Sequence, residues 1–437
     1  MGERDRPRTL MPPSPETTQP AVSGAPLVRV RWPWLPAAVA ALVVVLTWQA
    51  ALVTPHLATA LGLGPSGAFL DLQGLLAANE AAGRGLDPYA LNPLDPYQRP
   101  LLYSTWWLWP GHPGLTRADT GRLGYALVAA TLAAALLIWR VRSWREAIIC
   151  IAVLASPAWL LAVYRANNDL VIFVLLALAV WMLQRAGQVW RTIGAALTGA
   201  MVILKYYPAA AVIGLLRAPR RRELLALFAL VAGIIAVGWP SLVPAFEAIS
   251  RYGFVVTASV GLQAFGIKVL GESVVPWLPA AAGWIAGLAS LFGGYLLAGG
   301  SGAARSPGSE DRFMAAAVAG AVMLGCFVIG TSYNYKLVFL WALVPWVLRD
   351  APEALGRNQA RALLALLLAD CWAGGLAMAA LNTLGPHLTR AGRAHALTFF
   401  HGVTILVQLG YWVLMGVCLR LALDWSRRQL ARLASAP

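Results

Sequence analysis

Ten apolar stretches dominate this chain of 437 residues, and each approaches the length that a helix needs to cross a bilayer. The hydrocarbon core of a bilayer is about 30 Å thick, so a spanning helix needs roughly 20 apolar residues. Backbone amides inside lipid have no water to bond, which favours a helical bundle. The stretches lie at 33–53, 122–140, 146–164, 169–184, 224–243, 279–298, 313–331, 336–349, 361–382 and 397–420. We therefore predict an all-α polytopic membrane protein with about ten transmembrane helices.

The composition agrees with a membrane protein. Hydrophobic residues make up 59% of the chain and charged residues 12%, whereas soluble domains are about 45–50% apolar and about 25% charged. The net charge of +15 would suggest nucleic-acid binding in a soluble chain; here we attribute it to arginines gathered at one membrane face and expect no nucleic-acid partner. The four cysteines lack CxxC spacing and predict no zinc site or disulfide framework.

The basic residues predict the topology. With a cytoplasmic N-terminus and alternating spans, a segment at 192–216 that crossed once would place the arginines of 217–222 outside. If it instead enters, breaks at Tyr206-Tyr207-Pro208 and returns, 23 of the 34 basic residues lie inside and 11 outside. This distribution follows the positive-inside rule. We therefore predict a broken re-entrant hairpin at 192–216, with both termini cytoplasmic and the protein in the inner (plasma) membrane of a bacterium.

This topology divides the chain into a transmembrane domain with two tails. Residues 1–32 are polar and predict a disordered cytoplasmic tail, the transmembrane domain occupies 33–421, and 422–437 is a cytoplasmic C-terminal tail. Two extracytoplasmic loops are long, at 54–121 and 244–278. The first loop contains an amphipathic stretch and then a tryptophan cluster, which together indicate helices lying at the membrane interface.

Several polar groups fall on the predicted outer face. Lys205 lies inside an otherwise apolar segment, where a charge is costly unless it has a partner or reaches the interface by snorkelling. Cations and acids at one membrane surface suggest chemistry on an anionic lipid. Lys205, Arg165 or Lys336 would bind a phosphate, and a carboxylate would serve as general base for an acceptor hydroxyl. Asp71 is the first candidate for that base and Asp169 the second, although Asp169 follows Asn168 at a helix start and a capping role is equally consistent.

Four motifs occur in an order that is similar to one family of membrane enzymes. After the first span the chain reads "GRGLDPY"; later it reads "RANNDLVIF", "LKYYP" and "SYNYKLVFL". This set resembles the GT-C superfamily of membrane glycosyltransferases, and more narrowly glycosyltransferase family 87, which includes polyprenol-phosphate-mannose-dependent mannosyltransferases. The resemblance covers most of 33–421. It implies a GT-C-like bundle and an inverting sugar transfer, of mannose in the best-known relatives, from a polyprenyl-phosphate donor to a lipid or glycan hydroxyl, without a metal or other cofactor.

The resemblance also implies roles for individual residues. Asp71 would be the general base, and Lys205 would contact the donor phosphate. The other residues implied in binding the donor phosphate or sugar are Arg165, Asn168, Asp169, Tyr335 and Lys336. The chain departs from the family pattern in having Tyr164-Arg165-Ala166 before the asparagines, and Asp71 has no adjacent acid. Asp87 and Asp95 each precede Pro-Tyr, which predicts turns rather than catalysis.

Two other classes of function remain open at this point. A lipid-linked sugar flippase or transporter would account equally well for the many spans and for Lys205. It would account less well for a long outer loop that carries an acid, and Asp370 is the one acid well inside a predicted span. A non-catalytic scaffold in envelope assembly is the third reading. In every case the expected partners are membrane lipids, and for the enzyme a polyprenyl-phosphate sugar and a lipid or glycan acceptor.

Overall fold

A computed structural model describes residues 34–54, 67–108, 114–252, 259–260, 277–299, 308–329, 332–384, 387 and 389–435. The α-helices are α1 (Leu35–Val53), α2 (Leu70–Gly83), α3 (Thr120–Ile138), α4 (Trp144–Leu154), α5 (Pro157–Arg165), α6 (Asp169–Leu183), α7 (Gln188–Leu204), α8 (Arg221–Gly238), α9 (Val243–Tyr252), α10 (Trp277–Leu297), α11 (Ser309–Ile329), α12 (Leu343–Arg349), α13 (Ala351–Ala354), α14 (Arg357–Leu384) and α15 (Arg390–Ser435). Five 3₁₀ helices occupy Thr105–Leu108, Arg117–Asp119, Tyr207–Arg217, Trp239–Ser241 and Asn334–Ala342. Two two-residue strands, β1 (Ser259–Val260) and β2 (Ser332–Tyr333), pair antiparallel.

The predicted helical membrane class is confirmed, but with fewer spans. Within the described residues, 6 helices are long and apolar enough to cross a membrane, and α4 with α5, bent by 57°, forms a seventh if the pair counts as one span. Two predicted spans do not form helices of this length. Helix α6 has 15 residues and is about 22 Å long at 1.5 Å per residue. The stretch at 336–349 is divided between a 3₁₀ helix and α12. Helix α10 has 21 residues, of which only Trp284–Leu297 enter this count.

The segment around 192–216 leaves one end of the bundle and returns to it. Near the beginning of α7, Arg191 Nε donates to Glu223 Oε1 of α8 at 2.5 Å. After the 3₁₀ helix Tyr207–Arg217, Arg217 pairs with Glu310 and Asp311 at the beginning of α11. We name this the arginine-rich end. The turn at Lys205 lies at the other end, which we name the site end. The path therefore has the form of the hairpin predicted from the arginines.

The first arm of this hairpin is the α-helix α7 and the second is the 3₁₀ helix Tyr207–Arg217. The residues at the turn separate the two. Lys205 has extended dihedral angles, φ −152° and ψ 128°, and ends the α-helical arm. Pro208 then occupies the start of the 3₁₀ arm, where a missing N–H costs little because the first amides of a helix have no partner. The break thus presents Lys205 at the site end without leaving a proline inside a continuous helix.

Buried tryptophans join the helices behind the site end. The Trp341 ring lies 4.6 Å from that of Trp139 and 5.8 Å from that of Trp159, between ring centroids. Trp48 stacks on Trp159 at 6.2 Å, and its Nε1 donates to the Leu154 carbonyl at 2.7 Å. The Trp341 Nε1 donates to the Ala135 carbonyl at 2.8 Å, so the N–H groups of Trp48 and Trp341 fix the rotation of their rings as well as the distance. This cluster holds α1, α3, α5 and the helix Asn334–Ala342 together, and so positions Arg165 and Lys336.

The C-terminal residues differ from the prediction of a separate tail at 422–437. Helix α15 continues to Ser435. Trp425 is fully buried and its Nε1 donates to the Ile213 carbonyl at 3.1 Å. Arg432 donates to the carbonyls of Leu216 and Ala218. These carbonyls end the 3₁₀ arm of the hairpin and lack helical partners, so the C-terminal helix completes the arginine-rich end. The predicted tail at 1–32 lies outside the described residues.

Helices α10 and α15 approach each other through glycines. A Cβ at Gly294 would lie 1.9 Å from the Val413 carbonyl oxygen, and one at Gly416 would lie 1.9 Å from the Leu291 carbonyl oxygen. Small residues let membrane helices pack backbone against backbone. A Cβ at the neighbouring Gly293 would meet no atom within 4 Å.

Adjacent glycines of α10 therefore provide a matched test. We expect Gly294→Ala to lower the thermal stability of the purified protein, since overpacking typically costs about 1–3 kcal/mol. Gly293→Ala should leave stability unchanged or raise it, because alanine gains up to about 1 kcal/mol of helix propensity. The measurement is the Tm in neutral detergent. Equal Tm values for the two variants would contradict the close approach of α10 and α15.

Candidate functional site

Asp71 lies at the site end because the first loop is attached to the end of α5. The Phe69 amide donates to the Tyr164 carbonyl at 2.5 Å, and α2 begins at the next residue with Asp71 in its first turn. A carboxylate in the first turn of a helix is favoured by the helix dipole. The loop therefore brings its acid directly to the last turn of α5.

The Asp71 carboxylate accepts four hydrogen bonds. Arg165 Nε donates to Oδ2 at 2.8 Å and Arg165 Nη2 to Oδ1 at 2.6 Å. Asn167 Nδ2 donates to Oδ2 at 2.6 Å, and Arg99 Nη1 donates to Oδ1 at 3.2 Å. Burial raises the pKa of Asp71, but the hydrogen bonds and charge of Arg165, with Asn167 and Arg99, outweigh it and lower that pKa overall. Asp71 is therefore an anion whose lone pairs are all engaged.

Arg99 ties Asp71 to a second acid of the loop. Its Nε donates to Asp95 Oδ2 at 2.8 Å and its Nη2 to the Leu70 carbonyl at 3.0 Å. The absence of a side chain at Gly74 makes room for this pair, because a Cβ there would lie 2.6 Å from Arg99 Nη2 and 2.9 Å from Asp95 Oδ2. The guanidinium is 34% exposed, so it remains accessible from outside the bundle.

The predicted turns at the two Asp-Pro-Tyr sequences are confirmed. The Tyr89 amide donates to Asp87 Oδ1 at 2.9 Å, and the Tyr97 amide donates to Asp95 Oδ1 at 2.8 Å. These are the hydrogen bonds of Asx turns, in which a short side chain bonds the backbone two residues on. Asp95 also pairs with Arg99, so its role is not confined to the turn.

Backbone strain gathers around Asp71. Within the described residues, three non-glycine residues have positive φ, namely Phe69 at 66°, Gln98 at 52° and Ala166 at 43°. We name Asp71 and the three residues that donate to it, Arg99, Arg165 and Asn167, the Asp71 cluster. Each strained residue lies one or two positions from a member of this cluster. Such conformations cost on the order of 1–3 kcal/mol each, and they persist at functional sites where the surrounding structure holds them. Their coincidence marks the surroundings of Asp71 as a candidate functional site.

A second cluster surrounds Asp169 at the beginning of α6. Lys205, at the turn of the hairpin, forms an ion pair with Asp169, whose side chain is 0% exposed. The Tyr207 hydroxyl donates to the same oxygen, Oδ1, at 2.5 Å. The Lys205 ammonium lies 4.8 Å from the Tyr103 ring centroid, and the Lys336 ammonium lies 4.7 Å from that of Tyr207. The loop, the hairpin and the late motif therefore meet at this acid.

The stretch 165–169 joins the two clusters. Asn167 donates to Asp71, and its Oδ1 accepts the Asp169 amide at 2.9 Å. Both polar atoms of the buried Asn168 side chain, and Asp169 Oδ2, have no hydrogen-bond partner among the described residues. Buried polar groups are nearly always paired with protein or ordered water. The unpaired amide of Asn168 therefore indicates a place where a polar group of a ligand, or water, bonds.

The site carries one more positive than negative charge. Its members are four bases and three acids: Arg99, Arg165, Lys205, Lys336, Asp71, Asp95 and Asp169. Lys336 acts on Asp169 through its charge but makes no ion pair among the described residues, and it is partly exposed. The surplus cation is therefore Lys336, and an anion would balance it.

The structure brings together all the residues that the sequence singled out, although in different roles. Asp71 and Arg165 pair directly. Asn168, Asp169 and Lys205 are buried, and Tyr335 beside Lys336 is buried as well. The prediction that Lys205 faces a lipid phosphate is not supported by its placement, because Lys205 is 8% exposed and its charge is balanced by Asp169. A cation inside a bundle requires a partner, and here the protein supplies it.

Arg99, Tyr103 and Tyr207 were not predicted from the sequence as members of the site, and Asn167 was not predicted among the binding residues. Arg99 lies in "YQRP", which has no pattern that would distinguish it from the other arginines. Tyr207 was considered only as part of the hairpin break. Asn167 could have been predicted from the sequence. A helix start needs one capping residue, and two adjacent asparagines stand here, so one of them is free for another role. Lys268 lies outside the described residues.

Comparisons with known proteins return no match: the chain matches no protein-family model, no curated protein and no solved structure. The resemblance to GT-C glycosyltransferases therefore depends on the four motifs alone. Within the described residues no group of three or more His, Cys, Asp or Glu side chains is placed to hold a metal ion.

Breaking the Lys205–Asp169 pair should destabilise the protein. Removing one partner of a buried ion pair costs about 3–5 kcal/mol, whereas neutralising both is often tolerated. We expect Lys205→Met to lower the Tm strongly and Lys205→Met/Asp169→Asn to recover much of the loss, since asparagine still accepts from Tyr207. The exposed pair of Arg84 with Glu80 gives the control, Arg84→Gln, with little change. A double variant as unstable as the single one would contradict this assignment.

The depressed pKa of Asp71 predicts acid sensitivity. Its contribution to stability is complete above the pKa of an unfolded aspartate, about 3.9. That contribution is lost as the pH falls below about 4 through the folded pKa, because the unfolded chain then binds a proton that folded Asp71 does not. We expect the Tm to fall over this window, and to fall less steeply in Asp71→Asn. Parallel Tm profiles of the two proteins would show that Asp71 is not held as an anion.

Proposed function

We propose that this chain is a membrane glycosyltransferase that moves a sugar from a polyprenyl-phosphate donor to a hydroxyl of an envelope lipid or glycan. The observation that carries the proposal is the surplus positive charge of Lys336 beside Asp169. An anionic group balances Lys336, and the adjoining apolar helices suit a ligand whose phosphate is attached to a long hydrocarbon. Three of the four motifs that resemble family 87 carry residues of this site, namely Arg165, Asn168 and Asp169 in "RANNDLVIF", Lys205 in "LKYYP", and Tyr335 and Lys336 in "SYNYKLVFL".

The donor phosphate is assigned to Lys336, with Arg99 and Arg165 as further contacts. Lys336 is the base without an ion pair, and Arg99 and Arg165 have side chains that are partly exposed. A guanidinium forms charge-assisted hydrogen bonds to phosphate oxygens. Lys205 supports the site indirectly by neutralising Asp169. The unpaired Asn168 amide is the group that would bond a sugar hydroxyl.

Asp71 is assigned as the base because its side chain is 13% exposed while that of Asp169 is 0% exposed. The acceptor oxygen forms a bond to the anomeric carbon, the bond from that carbon to the phosphate oxygen breaks, and the hydroxyl proton passes to Asp71. The phosphate leaves with the electron pair of the broken bond. Asp71 has no vacant lone pair in this structure, so the acceptor must displace one donor. The 3.2 Å contact from Arg99 is the longest of the four and the easiest to displace.

The arrangement of charge also supports an orientation. The arginine-rich end carries Arg191, Arg217 and Arg432. On the positive-inside rule we assign this end to the cytoplasm. The assignment would put both termini inside and Asp71 on the extracytoplasmic side of a bacterial inner membrane. A sugar donor on a polyprenyl phosphate is anchored in the membrane, so it would approach Asp71 from within the bilayer.

A lipid-linked sugar flippase is the second candidate, and one observation favours it. Asp370 lies in α14, is 4% exposed, and its Oδ2 has no hydrogen-bond partner among the described residues. Acids inside membrane helices often mark transport pathways. The same donor lipid would serve either activity, so the two candidates differ in whether the donor is consumed.

The deciding experiment uses the purified protein in liposomes with radiolabelled polyprenyl-phosphate sugars and an envelope lipid extract. We expect label to move to a new lipid or glycan, and Asp71→Asn to lower kcat by at least about 100-fold, as loss of a general base does. Lys336→Gln should raise KM for the donor. The control is Asp87→Asn, the same chemical change on an exposed turn of the same loop.

Each result has a separate meaning. Donor that crosses the bilayer unconsumed would replace the transferase with the flippase. Transfer that survives in Asp71→Asn would retain the enzyme and remove its base. No transfer and no crossing with any sugar, from protein with the parent Tm, would contradict both functions.

A further inference from the structure

A cavity of about 290 Å³ opens at the arginine-rich end, away from the site end. It lies between the ends of α3 and α6, the beginning of α11, and α12. Helix α6 runs from Asp169 in the site to this cavity, a distance of about 22 Å. The cavity is therefore separate from the candidate active site, and its occupant need not be a substrate.

One wall of the cavity is cationic. Arg140, Arg142, Arg312 and Arg349 line it. Arg312 is paired with Asp350 through two 2.7 Å hydrogen bonds, and Arg349 is paired with Glu146. Arg140 and Arg142 are exposed and make no ion pair among the described residues. The one acid of the lining, Asp311, bonds Arg217 at 3.2 Å, although the charge of Arg140 also acts on it.

The turn that carries these two arginines is held in place. Arg349 Nη2 donates to the Arg140 carbonyl at 2.6 Å, and the Arg142 amide donates to Glu146 Oε2 at 2.7 Å. Arg349 and Glu146 also pair with each other. Both hydrogen bonds use backbone atoms of the turn and leave the two guanidinium groups available. A fixed turn with two uncommitted guanidinium groups is pre-organised for an anion.

The rest of the lining forms a mostly apolar wall. Leu137, Ile138, Val180 and Trp181 line it together with Pro345. A free phosphate would leave this wall in contact with water, whereas an amphiphile would cover it. The volume is near the lower limit for small-molecule sites, which run from about 300 Å³. It accommodates a headgroup and the upper part of one acyl chain, with the rest of the lipid in the bilayer.

We propose that this cavity binds an anionic phospholipid, with its phosphate on Arg140 and Arg142 and its chain against Trp181. The charge complementarity and the apolar wall together select this occupant over a zwitterionic lipid and over a free anion. Anionic lipids are attracted to basic segments at about 1 kcal/mol per basic residue near the surface. A ligand that contacts α3, α6, α11 and α12 at once stabilises the folded state by mass action.

The test measures binding by the full-length protein in neutral detergent. Phosphatidylglycerol, phosphatidylcholine and glycerol phosphate are titrated separately, with native mass spectrometry and Tm as readouts. We expect phosphatidylglycerol to bind and raise the Tm, phosphatidylcholine to bind at least tenfold more weakly, and glycerol phosphate to have no effect at the same concentrations. Arg140→Gln/Arg142→Gln should weaken phosphatidylglycerol binding at least tenfold.

The matched control removes two other charges from the same end. Arg145 and Arg222 are exposed and do not line the cavity, so Arg145→Gln/Arg222→Gln should bind phosphatidylglycerol within twofold of the parent. If the control variant lost as much phosphatidylglycerol binding, the effect would come from general surface charge, and the proposed site would be wrong. Glycerol phosphate binding as tightly as the phospholipid would replace the lipid with a free anion. Equal Tm values of all proteins without lipid show that the variants are folded.

Discussion

The ion pair between Lys205 and Asp169 is the interaction on which the rest of the site end depends. It joins the beginning of α6 to the turn of the hairpin. Neither charge is tolerated alone inside a bundle of apolar helices. The two elements must therefore pack so that Lys205 and Asp169 are in contact. Tyr207 adds a hydrogen bond to the same carboxylate, and the Lys336 ammonium lies against the Tyr207 ring. The position of Lys336 is therefore tied to this one pair.

The Asp71 cluster has a different character although the stretch 165–169 connects it to the Asp169 cluster. The Asp71 cluster is partly exposed, is built on a loop, and is bounded by three residues with strained backbone. Asn167 connects it to Asp169 through one amide side chain. A rigid, buried pair beneath a more accessible cluster is the arrangement that a catalytic group needs, since precise geometry requires a fixed support. The two ends of the molecule are also distinct, because the arginine-rich end carries its own cavity.

Much of this architecture could be predicted from the sequence. The helical membrane class follows from apolar length alone, and the hairpin at 192–216 was inferred from the arginines that follow it. The number of spans was overestimated because apolar length does not reveal bends or 3₁₀ segments. Helix α6 is apolar but too short to count as a span, and the chain around 336–349 changes helix type where the tryptophan cluster packs. Such changes depend on neighbours that are distant in the sequence.

The sequence by itself determined the class of the protein, the ordered motifs and the identity of the charged residues that could not be left unpaired. It could not determine their partners. Lys205 lies 36 residues from Asp169, and Asp71 lies 94 residues from Arg165; no periodicity relates positions so far apart. Only the tertiary structure decided that Lys205 neutralises an acid of the protein, and that Lys336 has no ion pair among the described residues. The physical reason is that charge balance in a low-dielectric interior is a property of the assembled cluster and of no single segment.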